Sequence, residues 1–264
     1  MIVAQRNINY KYGDTIKIKP IFDVHYGNVN CDFKAFKKFL SEDDDPNTYF
    51  IGGGDLLDSI VITDKRYRKG EDSIKGEDII DQQIEEVYNA LLPYKERILG
   101  LATGNHEDVI TKKCGTNPIK RLCKELDTTF LGYSCLYKIS LNENGSRVRV
   151  IVIRLHHGWG GGSRTRGADI TKYEKDMGKW NADIFFYGHV HKLQYDKMPR
   201  LGLCGMKLIA KPIILGICGT FMKTYTETSD PTYAEIKGYP PTEIGGLVIK
   251  IKPTANSYII DVES

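Results

Sequence analysis

Five short clusters of imidazole and carboxylate residues, each directly after a stretch that reads as a β-strand, constrain this 264-residue chain more than any other feature. They are Asp23-Val-His25, Gly54-Asp55-Leu-Leu-Asp58, Gly104-Asn105-His106-Glu107, His156-His157-Gly158 and Gly188-His189-Val-His191, and they contain all six histidines. In open α/β sheets ligands gather beyond the C-terminal ends of strands, so loop residues far apart in sequence can converge there. The clusters predict an α/β fold with parallel pairing.

Local patterns point the same way. Ile16 to Phe22 is an extended run ending at Asp23, and Asp32 reads as the N-cap of a helix with Phe33, Phe36, Phe39 and Leu40 on one face. Thr48 to Ile51 leads through Gly52-Gly-Gly-Asp55 towards a helix near 77–92, where Ile80, Ile84, Val87 and Leu91 recur at helical spacing. Arg97 to Thr103 enters Gly104-Asn-His, and a further helix begins near Asn117-Pro118. After residue 133 the chain is β-rich. Strands over 135–141 and 147–155 flank an Asn144-Gly145 hairpin signal, and Asp183 to Tyr187 enters the last cluster. More strands are expected near 193–197, 203–210, 213–218, 247–252 and 256–262, with little helix. Without a repeat or a linker, the expectation is one domain over 1–264, with Thr226 to Pro241 as a long surface loop.

Composition narrows the partners. The chain has 37 basic and 34 acidic residues, net +3, too balanced to mark a nucleic-acid coat by charge alone. Met1 to Arg6 lacks the features of a secretory signal, and no apolar run approaches the roughly 20 residues of a membrane span. A soluble cytoplasmic protein with no membrane partner is expected. Six cysteines without a Cys-x-x-Cys pair read as reduced thiols rather than a zinc ribbon. Oligomeric state leaves no signature.

The donor set carries the chemistry. Imidazole, carboxylate and one amide oxygen without thiolate suit two adjacent divalent cations, Mn2+ first, with Fe, Zn2+ or Ni2+ also compatible. Asp23 and His25 alternate in a segment that reads as extended, placing both side chains on one side, and His189 and His191 repeat that spacing. A single Asp-x-His or His-x-His is usually structural or merely exposed; five clusters in order are not so easily dismissed. Glu107 and Asp108 read as local hydrogen-bonding or surface carboxylates. The run Asp64-Lys-Arg66-Tyr67-Arg68-Lys69 reads as a solvated loop diluted by Asp64, Glu71 and Asp72, with a rim that guides a polyanion as its functional alternative. The Gly160–Gly162 triplet lacks the ending of a nucleotide-binding P-loop.

The ordered clusters between residues 20 and 192 resemble the calcineurin-like metallophosphoesterase superfamily, with its Asp-x-His, Gly-Asp, Gly-Asn-His-Asp/Glu, His and Gly-His-x-His pattern. The stretch from His157 to Gly167 is similar to a glycine-rich variant in uncharacterised phage-borne members. The resemblance implies a four-layer α/β/β/α sandwich with mixed central sheets. It also implies one metal on Asp23, His25, Asp55 and His191 and another on Asp55, Asn105, His157 and His189, bridged by Asp55. His156 and His157 are adjacent, so only one can be the ligand of the fourth cluster, and His157 is favoured because it directly precedes Gly158. His106 would face the phosphate, oriented by Asp58, while Arg164 and Arg166 could clamp a phosphate group. The implied activity is phosphoester hydrolysis by metal-activated water, on a phosphodiester or nucleic acid. A phosphomonoesterase is the runner-up, and a non-catalytic metal-binding scaffold the third reading.

Overall fold

The computed structural model of the chain describes residues 1–70, 73–74, 76–143, 147–165, 167–227, 230–254 and 257–264, leaving aside the side chains of Arg147 and Cys204. Two sheets face one another. The first runs β1 (Ile2–Tyr10), β5 (Ser134–Glu143), β6 (Arg147–His156), β7 (Ile184–Tyr187), β9 (Lys207–Cys218) and β8 (Leu193–Cys204) in spatial order. The second runs β11 (Tyr258–Glu263), β10 (Val248–Pro253), β2 (Ile16–Ile21), β3 (Thr48–Gly52) and β4 (Ile98–Leu101). Within it β2, β3 and β4 are parallel, as their alternation with helices predicts, while β10 and β11 join antiparallel. Both sheets are therefore mixed.

Apolar residues at alternate strand positions fill the space between the sheets. Ile16 and Ile18 of β2, Ile139 of β5, Ile151 and Ile153 of β6 and Ile249 of β10 belong to one buried cluster. Helices α1 (Phe33–Ser41), α2 (Ile79–Leu91) and α4 (Pro118–Glu125) cover the outer face of the second sheet, placing Phe36, Ile84 and Leu122 against Ile21, Phe50 and Leu101. Helix α5 (Ala168–Met177) covers the outer face of the first, with Tyr173 and Met177 on Phe185 and Leu215. The result is the four-layer α/β/β/α sandwich that the resemblance implies. Burying each large apolar side chain contributes about 1.5–3 kcal/mol, and each sheet is held on both faces, by the other sheet inside and by helices outside.

Several boundaries follow from local chemistry. Asp32 caps α1 by accepting from the Ala35 amide at 3.0 Å, and Asn117 caps α4 by accepting from Lys120 at 2.8 Å, with Pro118 in the first turn. Strands β5 and β6 form the expected antiparallel hairpin, although its Asn144-Gly145 turn lies outside the described residues. The three strands expected over 193–218 are instead the two 12-residue strands β8 and β9, turning at Gly205. Pro199 and Pro212 face each other there, beyond the part of β9 that pairs with β7, so neither proline removes a bond to β7. Strand β1, α5, and the helices α3 (Asn105–Cys114) and α6 (Tyr233–Lys237) had no counterpart in the sequence reading. Helix α6 occupies the region expected to be only loop. Among the described residues no helix is long and apolar enough to cross a membrane.

Candidate metal centre

The five clusters leave the C-terminal ends of β2, β3, β4, β6 and β7, and the parallel strands of the two sheets bring those ends together. Asp23 and His25 do not lie in extended chain, nor do His189 and His191. All four have left-handed backbones, with φ of 50°, 49°, 70° and 54°, as does Asp55 at 52°. Left-handed residues at alternate positions, with Val24 and Val190 between them, turn each short segment, and the side chains converge. Aspartate tolerates this conformation better than most residues, but each instance still costs about 1–3 kcal/mol. The β3 and β4 loops touch through glycine. A Cβ on Gly54 would lie 2.5 Å from the Gly104 amide, and one on Gly104 would lie 2.1 Å from Asp55 Oδ1.

Each carboxylate has one oxygen fixed and one left over. Asp23 Oδ2 accepts from the His189 amide at 2.7 Å, while its Oδ1 is buried with no hydrogen-bond partner. Asp55 Oδ1 accepts from the His106 amide at 2.9 Å, and its Oδ2 lies 3.2 Å from His157 Nε2 and 3.7 Å from His25 Nε2. Asp23, His25 and His191 form one group whose donor atoms lie within 4.8 Å of one another, and Asp55, His157 and His189 form another. His25 Nε2 and His191 Nε2 face each other at 3.0 Å. The Asn105 amide oxygen lies 2.7 Å from His189 Nδ1 and 3.0 Å from His157 Nε2.

These contacts fit divalent cations. With the imidazoles neutral and their lone pairs turned inward, an amide oxygen aimed at His157, His189 and the Asp55 carboxylate meets acceptors, an arrangement that a cation among them would satisfy. Without a cation, the Asn105 amide would turn over, donating to His189, His157 and Asp55 and accepting from Arg66 Nη1 at 3.1 Å. The orientation with oxygen inward suits metal and leaves the Asn105 NH2 beside the Arg66 guanidinium, two donors awaiting an anion. His157 Nδ1 contacts the Gly53 carbonyl at 3.1 Å, which holds the ring so that Nε2 points at Asp55.

The protein without metal compensates with protons. Burial raises Asp23 to about 7 and lowers His189 to about 4. Burial also opposes charge on His157, but the Asp55 carboxylate overcomes it and lifts that imidazole to about 9. His156 is turned away. It accepts from the Gly158 amide at 2.9 Å, packs among Tyr133, Trp159 and Tyr187, and is lowered by burial to about 4.

His106 stands between the groups, with Nε2 4.0 Å from Asp55 Oδ2. Its Nδ1 lies 2.6 Å from the Asp58 main-chain carbonyl and 3.5 Å from the Asp58 carboxylate. Asp58 therefore contacts the ring through both its main-chain carbonyl and, at longer range, its carboxylate. The carboxylate sits equally close, at 3.5 Å, to His25 Nδ1. Burial lowers His106 to about 4.

Arg164 does not line the cavity at this centre. Its guanidinium donates to the carbonyls of Lys237 at 2.6 Å and Gly238 at 3.2 Å, at the end of α6. Arg166 lies outside the described residues. Arg66 and Arg68 line the cavity instead, and Arg66 is held by a fork in which Nε and Nη2 donate to the Asp64 carboxylate at 3.1 and 2.8 Å. The Asp64-to-Lys69 run thus supplies cavity wall rather than only a solvated loop; its Glu71 and Asp72 continuation is outside the described residues.

Glu107 is also more than a local carboxylate. Fully buried, it accepts from the amides of Gly104 at 2.8 Å, Asp55 at 3.1 Å and Leu57 at 3.0 Å, tying the second cluster to the third. Burial raises it to about 7. The sequence signal was its place three residues after Gly104, at the start of a helix.

No family model and no curated protein matches the chain. Among solved structures it is similar to vacuolar protein sorting 29 from Cryptosporidium parvum, at 14% identity over 94% of this chain and 97% of that one, with a TM-score of 0.38. It is also similar to a conserved uncharacterised protein, described as a predicted phosphoesterase, from Streptococcus pneumoniae, at 12% identity over 95% and 99%, TM-score 0.34. A third is wild-type vacuolar protein sorting 29 from Entamoeba histolytica complexed with Zn2+, at 15% identity over 81% and 96%, TM-score 0.27.

Proposed function

We propose that this chain is a two-metal phosphoester hydrolase acting on phosphodiesters, with nucleic acid or a nucleotide as the substrate. One observation carries the reading: a buried set of unreconciled acceptors around Asp55, with a histidine ring held against its edge by a main-chain carbonyl. Asp23, His25, Asp55 and His191 would hold one cation, and Asp55, Asn105, His157 and His189 the other, with Mn2+ the first candidate. Bound there, the cations supply Lewis acidity that activates water and offsets charge on phosphoryl oxygens. The oxygen of water forms the new bond to phosphorus, and the ester oxygen leaves with a proton.

The chain's own groups prepare that exchange. Asp58 fixes the His106 ring so that Nε2 faces the cavity, where an approaching phosphate anion supplies the countercharge that favours the imidazolium. Arg66, pre-set by Asp64, offers its remaining nitrogen beside the Asn105 NH2 to a phosphoryl oxygen. The basic wall formed by Lys65, Arg66 and Arg68 suits a substrate whose charge extends beyond one phosphate.

The test is a Mn2+-loaded preparation of known metal stoichiometry, assayed on bis(p-nitrophenyl) phosphate, p-nitrophenyl phosphate and single-stranded DNA, beside His106→Ala. Diester hydrolysis is expected, falling about 100-fold or more in the variant while metal content stays unchanged. A marked monoester preference moves the assignment to a phosphomonoesterase. Inactivity of the fully metallated protein on every substrate moves it to a scaffold.

A further inference from the structure

The cavity beside the ligand cluster carries an aromatic wall that phosphate chemistry alone does not need. Its volume is about 470 Å³, ample for a phosphate together with a larger organic group. The inner end is formed by His106, Asp55 and Arg66. Tyr67, Tyr233 and Tyr239 are also among the residues that line the cavity. Tyr233 remains 54% exposed although it lines the cavity.

The ring of Tyr233 is flanked by cations. Arg68 lies 5.9 Å from its centroid and the Lys237 ammonium 5.7 Å, while the Tyr239 ring sits 6.4 Å away at 45°. The wall is fixed by bonds unrelated to the metal ligands. Thr232 caps α6 by accepting from the Glu235 amide at 3.1 Å, the Tyr225 hydroxyl donates to the Tyr239 carbonyl at 2.7 Å, and Arg164 holds the far end of α6. A half-exposed tyrosine ring with two cations within 6 Å of its centroid, lining the same cavity as His106 and Arg66, suits a planar base attached to an anionic backbone: the ring offers stacking surface and the cations countercharge.

We infer that the cavity takes a nucleotidyl unit, with its phosphate at Arg66 and His106 and its base laid on Tyr233. The identity of the inner end rests on the phosphoester reading above; the base subsite stands on the tyrosine wall. Stacking of a base on an aromatic side chain is worth about 1–3 kcal/mol, so the base adds about fivefold or more to affinity.

Calorimetric titration with AMP, ribose 5-phosphate and inorganic phosphate tests this on wild type, Tyr233→Ala and Tyr233→Phe, with Mn2+ and after chelation. In wild type and Tyr233→Phe, AMP is expected to bind about fivefold or more tighter than ribose 5-phosphate. In Tyr233→Ala that preference should vanish while the ribose 5-phosphate affinity stays put, which also shows the cavity intact. Equal affinities in wild type, an undiminished preference in Tyr233→Ala, or loss of both ligands together in that variant overturns the subsite. Hydrolysis of methyl p-nitrophenyl phosphate, which has no base, reports separately on the phosphoester reading. An inactive protein that still prefers AMP sinks that reading and keeps the platform; an active one without the preference does the reverse.

Discussion

Left-handed backbones at Asp23, His25, Asp55, His189 and His191 store strain at the positions that converge, so neighbouring bonds must hold them. Glu107, which accepts from the Asp55 amide, is one such restraint. Glu107→Ala would leave the buried amides of Gly104, Asp55 and Leu57 without their acceptor, each orphan costing about 1–3 kcal/mol. The expected outcome is a loss of at least about 3 kcal/mol in urea unfolding of the chelated protein, with weakened Mn2+ binding. An unchanged midpoint would show that the three bonds carry no net stability. Residue identities in the clusters were legible because histidine and aspartate have few structural reasons to recur after strands. The reason their side chains converge was not: an i, i+2 spacing suggests strand alternation, and nothing local distinguishes that from a pair of left-handed turns. Glu107 was legible as a local hydrogen-bonding carboxylate, through Gly104, but its bonds to the second cluster were not, because those amides lie about 50 residues away.

At the scale of elements, strand–helix units with their own caps and periodicities were readable, and elements lacking either were not. Strand β1 has mostly exposed positions and gains order from pairing with β5, over 120 residues later. Helix α3 begins within the third cluster, so its first turn looked like loop. The loop after β3 shows the same dependence: its run of basic residues became cavity wall through the Asp64–Arg66 fork. Hydrogen bonds from Arg66, chiefly, hold the Asp64 carboxyl down at about 2. A carboxyl whose folded value lies below its unfolded value stabilises the fold above the unfolded value and loses that contribution as pH falls through the folded one. The difference in unfolding free energy between wild type and Asp64→Asn should therefore be full at about pH 5 and shrink towards about pH 3. A difference that does not change over this range would mean that the fork contributes nothing to loop stability.

Across the whole molecule, the proposed metal ligands come from both sheets, Asp23, His25, Asp55 and Asn105 from one side and His157, His189 and His191 from the other. A cation bound there would cross-link the two halves of the sandwich. At about 100 times Kd, a ligand confined to the folded state adds about 2.7 kcal/mol, which corresponds to a rise in Tm of about 5–10 °C for a chain of this size. Mn2+ should produce that rise, chelation should reverse it, and Asp23→Asn should abolish it; an equal rise in the variant would place the bound ion elsewhere. By itself the sequence determined which donors exist, that each follows a strand, and that parallel α/β units carry the first three, since these depend on residue type and local periodicity. Only the tertiary structure decided that His157 rather than His156 faces Asp55, that Arg66 rather than Arg164 reaches the cavity, and that α6 brings Tyr233 to its mouth. Those outcomes depend on how two sheets pack and where distant loops meet, and no short window of sequence contains both partners.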